Sequence, residues 1–264
     1  MSIALVETLP INLMDNVVEF KVVSNTKEIK YNKDGTVKKI PNNSVIGKSK
    51  EVFAFKTREE IADMIRVFDK HISEATNDNH MMIAKRNKLM FIIGLNVGVR
   101  GGDLGSLKWN TFFEEKDGEY VFKDMYILCP EKTKNKSKYV KLFFNQAVRT
   151  AITEYVNEYP IKSLDDFVFP SRKGNEGIER NSICKILKAT AKEAGIKQNI
   201  GSHSLRKSFG FWCWHDANDK DKALVVLQML FNHDSTQTTL RYIGVMANEI
   251  EDMFNSIDLG LECL

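Results

Sequence analysis

From Thr57 onward the apolar residues recur at helical spacing, and this limits the chain to folds built on packed helices. Ile61, Met64, Ile65, Phe68 and Ile72 line one face, behind a Thr57/Glu60 pair that suits a capping box. A second helix is expected over residues 80–96, apolar enough for burial and closed by Gly98. Further helices are expected over 145–159, 179–194, from Ser202 or His203 onward, and over 221–230, 235–242 and 247–257. Residues 101–109 also read as a short helix, although three glycines work against one. Such a conflict between pattern and propensity is what a functional site produces.

Two regions depart from this periodicity. Residues 111–113, 120–122, 125–129 and 139–144 read as strands, with Asp117-Gly118 turning one pair and a lysine-rich turn, 131–138, joining another. A small antiparallel sheet with a basic tip follows. Residues 1–51 carry short β-like runs and an Asp34-Gly35 hairpin signal, so they read as a small β-rich arm ahead of a main domain at 52–264. The expected class is α+β, mainly α-helical.

Composition narrows the function more than the fold. The net charge of +3 is too small to argue for nucleic acid, so the placement of the charge decides. Cys129, Cys184, Cys213 and Cys263 are scattered, with no CxxC pair. That argues against disulfides and a zinc site, and for a reducing compartment. The longest apolar run, 89–95, is too short to span a bilayer. No basic stretch precedes an apolar core at the N-terminus, so no signal peptide is read there. A cytoplasmic location is expected, without contact with a membrane.

Arg100 and Asp103 stand three apart and are expected to share a helix face, as are His203 and Arg206. Each pair alone is ordinarily structural. His233 alone reads as a cap or a packed ring, and Tyr242 as core. As a group, two arginines, two histidines, a lysine on a β-turn and a tyrosine suit phosphoryl transfer at a DNA phosphodiester. Two guanidiniums can clamp the equatorial oxygens of a pentacoordinate transition state. A tyrosine can attack phosphorus and hold the strand covalently. A histidine can take the phenol proton, and a lysine can protonate the departing 5′ oxygen. This chemistry needs no metal or cofactor, and the sequence offers no acidic metal cluster.

Residues 94–104, around Arg100, resemble the first-arginine box of the tyrosine recombinases, the phage integrase family. The basic hairpin followed by residues 139–142 resembles their catalytic-lysine hairpin. Residues 203–209 resemble the His-x-x-Arg box, and 231–243 the last box, with the family's usual distance from histidine to tyrosine. The boxes stand in the family's order across roughly residues 52–257. The resemblance implies that Arg100 and Arg206 bind the scissile phosphate and that Asp103 braces the first arginine box. It implies that Lys132 is the general acid, with Lys134 or Lys136 able to take that place on the turn, and that Lys134, Lys136 and Lys138 face DNA. His203 would be a general acid/base, His233 a second phosphate contact, and Tyr242 the nucleophile of a 3′-phosphotyrosyl bond.

The implied partner is double-stranded DNA, with self-association into a synaptic tetramer and accessory DNA-bending proteins. A repressor that keeps only the fold, or a type IB topoisomerase-like enzyme, are the competing readings. The chain departs from the family pattern at Gly101-Gly102, where bulkier residues are common, at Asn232, where glycine is, and at Lys141, where proline is. Residues 1–51 are too short and too β-like for the helical core-binding domain many members carry. Lys27, Lys30, Lys33, Lys38 and Lys39 could touch DNA or face solvent. The apolar stripe Ile250, Met253, Phe254 and Ile257 suits docking on a neighbouring protomer or packing on its own core.

Overall fold

The structure is a computed structural model that describes residues 51–129, 139–171 and 176–257, with the backbone alone for 247–252. The expected arm lies outside these residues except for Glu51, and so do Lys132, Lys134, Lys136 and Lys138.

Local capping chemistry sets the helix boundaries. Thr57 and Glu60 form a full capping box at the start of α1 (Arg58–Ser73). The Asn77 side chain accepts from the His80 amide to open α2 (Asp78–Val97), which ends at Gly98 with φ 67°. A side chain at Gly98 would be strained by its left-handed backbone, and a Cβ there would stand 2.3 Å from the Phe209 ring. After α3 (Gly101–Gly105) and a 3-10 turn at Trp109–Thr111, Asn145 caps α4 (Gln146–Glu158). The chain then forms α5 (Arg180–Glu193), α6 (Ser202–His215), α7 (Lys220–Phe231), capped by Asp219, and α8 (Thr236–Ile243), capped by Ser235. Gly244 separates α8 from α9 (Val245–Ser256).

The central helix is α2, which packs on α1, α4 and α6 and buries Leu89, Met90, Phe91 and Ile93. Phe91 meets Phe55 and Phe68 ring to ring, at 5.6 and 5.4 Å. A second, smaller cluster holds Ala54, Phe211, Leu227, Phe231, Ile243 and Val245. It joins the segment before α1 to α6, α7 and α8, and it forms the floor beneath the candidate site.

The single expected sheet is two separate ladders. β1 (Phe113–Lys116) pairs with β2 (Glu119–Phe122), and β3 (Met125–Leu128) with β4 (Val140–Phe143), both antiparallel. Phe144, just past β4, packs against Phe112 and Phe122 beside the first ladder at 4.9 and 6.0 Å, so ring contacts join the two ladders. Asp117 and Gly118 both adopt positive φ, 53° and 82°, the geometry of a tight hairpin turn.

The expected helix at 101–109 is also shorter. It ends at Gly105 because the chain meets another backbone there: a Cβ on Gly105 would lie 2.0 Å from the Ile178 carbonyl oxygen. The glycine at 105 is thus a packing requirement. Arg100 is the residue before α3, in an extended conformation (φ −69°, ψ 153°). It stands at the N-cap, its carbonyl accepting from the Leu104 amide at 2.8 Å, so it opens the helix rather than lying within it. No helix among the described residues is long and apolar enough to cross a membrane.

Candidate active site

Arg206 is the buried centre of the site. It sits in the first half of α6, where Ser202, Ser204, Leu205, Lys207 and Ser208 are buried as well. Its guanidinium donates to the Gly98 carbonyl at 2.6 Å and to the Phe231 carbonyl at 3.4 Å. These carbonyls stand at the C-terminal ends of α2 and α7, where the helix dipole favours a cation. The same guanidinium lies 4.2 Å over the Phe231 ring. Burial pushes its pKa down to about 10, with the nearby Arg100 adding to this and Tyr242 and Asp103 opposing it. It remains charged at neutral pH. Asp103, itself buried, thus acts electrostatically on the second arginine of the set.

Tyr242 lies one residue from the end of α8, where the charges of Arg206 and Arg100 act on its hydroxyl. Its ring meets Phe231 at 5.5 Å and His233 at 5.0 Å, edge to face in both cases. Burial raises the phenol pKa, while the charges of Arg206 and Arg100 pull it back. The net direction is upward, so the phenol carries its proton at neutral pH and needs a base to attack.

His233 reaches the site through a turn. Asn232 closes α7 in the left-handed region, φ 54°, and turns the chain so that the His233 ring faces Tyr242. Asparagine is among the few residues that enter this region readily, which explains how it can occupy a position suited to glycine. His233 Nδ1 lies 3.1 Å from Thr239 Oγ1, and the Thr239 hydroxyl donates to the Ser235 carbonyl at 3.3 Å. Burial lowers the imidazole pKa, and Arg206 and Arg100 add to the effect. The ring is therefore neutral at pH 7.

Arg100 is close enough to act electrostatically on Arg206, His233 and Tyr242. His203 is half-buried on the first turn of α6, one turn before Arg206. Sequence elements spread over more than 140 positions thus converge in one chain. The expected lysine hairpin is represented by its two strands, β3 and β4; Lys132, Lys134, Lys136 and Lys138 lie outside the described residues. The remaining histidines serve elsewhere: His71 pairs with Glu193 at 2.8 Å, His80 meets Thr76 at 3.1 Å, and His215 stacks on Phe211.

Sequence reasoning missed three residues at the site. Phe231 supports Arg206, Thr239 holds His233, and the Lys207 ammonium lies 5.5 Å over the Tyr242 ring. Thr239 could have been found, since it stands three residues before Tyr242 and so shares its helix face. Lys207 could not, because a lysine beside an arginine reads as ordinary surface charge.

Known proteins resemble this chain in sequence and in fold. The chain matches the family model described as "Phage integrase family" over residues 60–249. It is 30% identical over 161 residues to the probable integrase/recombinase YoeC of Bacillus subtilis (strain 168), covering 61% of this chain and 78% of that protein. It is 36% identical over 93 residues to the tyrosine recombinase XerD of Listeria monocytogenes serotype 4b (strain F2365), covering 35% of this chain but only 30% of XerD. In fold it is similar to the crystal structure of XerA recombinase, with a TM-score of 0.55 at 17% identity, covering 79% of this chain and 65% of that one. It is similar too to the XerH site-specific recombinase solved as a post-cleavage complex on a palindromic difH substrate. That match has a TM-score of 0.52 at 18% identity, covering 86% of this chain and 61% of that one. With the family model matched across most of its length, a mainly helical fold of the recombinase catalytic type and the two arginine boxes around one tyrosine, this chain belongs to the phage integrase family of tyrosine recombinases.

Proposed function

We propose that the chain is a site-specific DNA recombinase of the integrase type, which cuts and rejoins DNA through a 3′-phosphotyrosyl intermediate. The observation that carries this reading is Tyr242, whose ring stands 5.0 Å from the His233 ring and whose hydroxyl feels the charges of Arg206 and Arg100 in the same chain. Arg100 and Arg206 bind the scissile phosphate and neutralise the charge that builds on its oxygens. The Tyr242 oxygen attacks phosphorus and gives up its proton to a histidine; His203 is the general acid/base, and His233 is a second phosphate contact. The bond to the 5′ oxygen breaks, and that oxygen takes a proton from Lys132, or from Lys134 or Lys136 on the same turn. The energy of the phosphodiester is kept in the phosphotyrosyl bond, so a second 5′ hydroxyl can reverse the step and reseal the strand. Asp103 holds the arginine pair in place.

The substrate is double-stranded DNA, gripped in part by Lys134, Lys136 and Lys138. Exchange between two sites requires assembly of a synaptic tetramer, with DNA-bending proteins as accessory partners, in the cytoplasm. Residues 1–51 form an arm and 52–264 the catalytic domain. The repressor reading predicts loss of the tyrosine or of an arginine, and all three are present.

The test uses a nicked suicide duplex taken from the genomic junctions of the element that encodes the chain. Wild-type protein traps a covalent adduct that survives denaturation, and Tyr242→Phe traps none. Specific binding of both proteins to the junction with no adduct from either would move the chain to the repressor reading.

A further inference from the structure

The nucleophile helix α8 is only eight residues long. A helix of that length has no stability of its own in water, so its orientation is set by what ties it down. Three ties come from nearby in sequence or from within the site: the Ser235 cap, the Thr239 contact with His233, and the ring contact of Tyr242 with Phe231. A fourth comes from the other end of the chain. Lys56 Nζ donates to the Gly244 carbonyl at 2.7 Å. Gly244 is the corner between α8 and α9, two residues past the tyrosine.

Lys56 is well placed to act as a fixed arm. Its neighbour Phe55 is fully buried. The Phe55 amide donates to Ser208 Oγ at 2.7 Å, and its carbonyl accepts from Trp212 Nε1 at 3.0 Å. The Lys56 amide donates to the Glu60 carboxylate at 2.9 Å. The backbone that carries Lys56 is thus bonded to α6 and to the start of α1. Its ammonium is half-buried, 5.6 Å from the Phe211 ring. Lys207 is the partner on the other side: it lies over the Tyr242 ring and is itself held by Glu51 at 3.0 Å. Burial lowers the Lys56 pKa, with Lys207 adding to this and Glu60 opposing it.

Resting on the recombinase reading, we infer that Lys56 is a positioning residue for Tyr242. By holding the Gly244 carbonyl it pins the C-terminal end of α8 and sets where the phenol oxygen stands relative to Arg206. A shift of about 1 Å in a reacting atom can cost on the order of 100-fold in rate, so a tie two residues from the nucleophile has leverage on cleavage that it lacks on DNA binding.

The test compares full-length wild type with Lys56→Met, which keeps the stem and removes the ammonium, and with Lys56→Arg, which restores a donor. Three readouts are taken: the single-turnover rate of adduct formation, DNA affinity, and amide hydrogen exchange over residues 236–245. For Lys56→Met the expectation is a cleavage rate lower by on the order of 10- to 100-fold, unchanged affinity, and faster exchange in 236–245 but not in α2. Lys56→Arg recovers most of the rate and the protection. The inference is overturned by unaltered cleavage and exchange in Lys56→Met, by a loss of affinity matching the loss of rate, or by a folded Lys56→Arg that recovers nothing. If wild type itself forms no adduct, the recombinase reading fails. The exchange readout then still decides whether Lys56 ties α8.

Discussion

At the residue scale, the site depends on a guanidinium that must stay both charged and oriented. Arg206 is forked between the Gly98 and Phe231 carbonyls, a geometry that a lysine cannot reproduce. Arg206→Lys therefore keeps the charge and loses the clamp. Its single-turnover cleavage should fall by about 100-fold or more, while salt-sensitive DNA binding, spread over many phosphate contacts, changes little. Quench-flow cleavage beside a binding titration checks this. His233 supplies a pH test. Its pKa is lowered in the fold by burial and by Arg206 and Arg100. As pH falls below the ordinary histidine value of 6.5, the unfolded chain binds the proton and the folded chain resists it. Stability is therefore full above that value and is lost as pH falls toward the lower folded pKa. Thermal unfolding should show a drop in this window that is smaller in His233→Gln. The arginines, histidines and tyrosine are legible in the sequence because their spacing recurs as ordered boxes. Phe231 and Lys207 are not, because their roles exist only once α6, α7 and α8 are packed together.

At the element scale, the joints are more telling than the helices. Gly105 and Gly102 lie in the same short α3, yet a Cβ on Gly105 would meet the Ile178 carbonyl oxygen at 2.0 Å, and one on Gly102 would meet open space. Gly105→Ala should lower the melting temperature markedly. Gly102→Ala should be neutral or stabilising, by up to about 1 kcal/mol. Equal effects in a thermal melt would contradict this packing. Asn232 gives a second contrast, since its φ of 54° is tolerated by asparagine and glycine but not by a β-branched residue. Asn232→Gly should keep stability, and Asn232→Val should lose on the order of 1–3 kcal/mol, together with cleavage, because the His233 turn moves. Helix ends are legible because caps such as Thr57, Asn77 and Ser235 act within a few residues of themselves. The division of the sheet into two ladders is not, because it depends on Phe112, Phe122 and Phe144 meeting across the fold.

At the scale of the whole molecule, the tail bears on assembly. Met253, Phe254 and Ile257 are all exposed, so of the two readings of this stripe, packing on its own core receives no support from them. On the proposed function, Phe254→Glu should keep cleavage of a single site while lowering exchange between two sites, measured as recombinant product against trapped adduct. Equal loss of both would place Phe254 in the fold instead. On the proposed function, Arg100, Arg206, His233 and Tyr242 make one active site within one chain. The most direct measurement mixes Tyr242→Phe protein with Arg206→Ala protein on a suicide duplex and follows the covalent adduct by gel and by peptide mapping. Wild type should give an adduct mapped to Tyr242, and each variant alone none. The mixture should also give none, because neither chain holds both groups. An adduct restored in the mixture, or a wild-type adduct mapped to any other residue, would contradict the account.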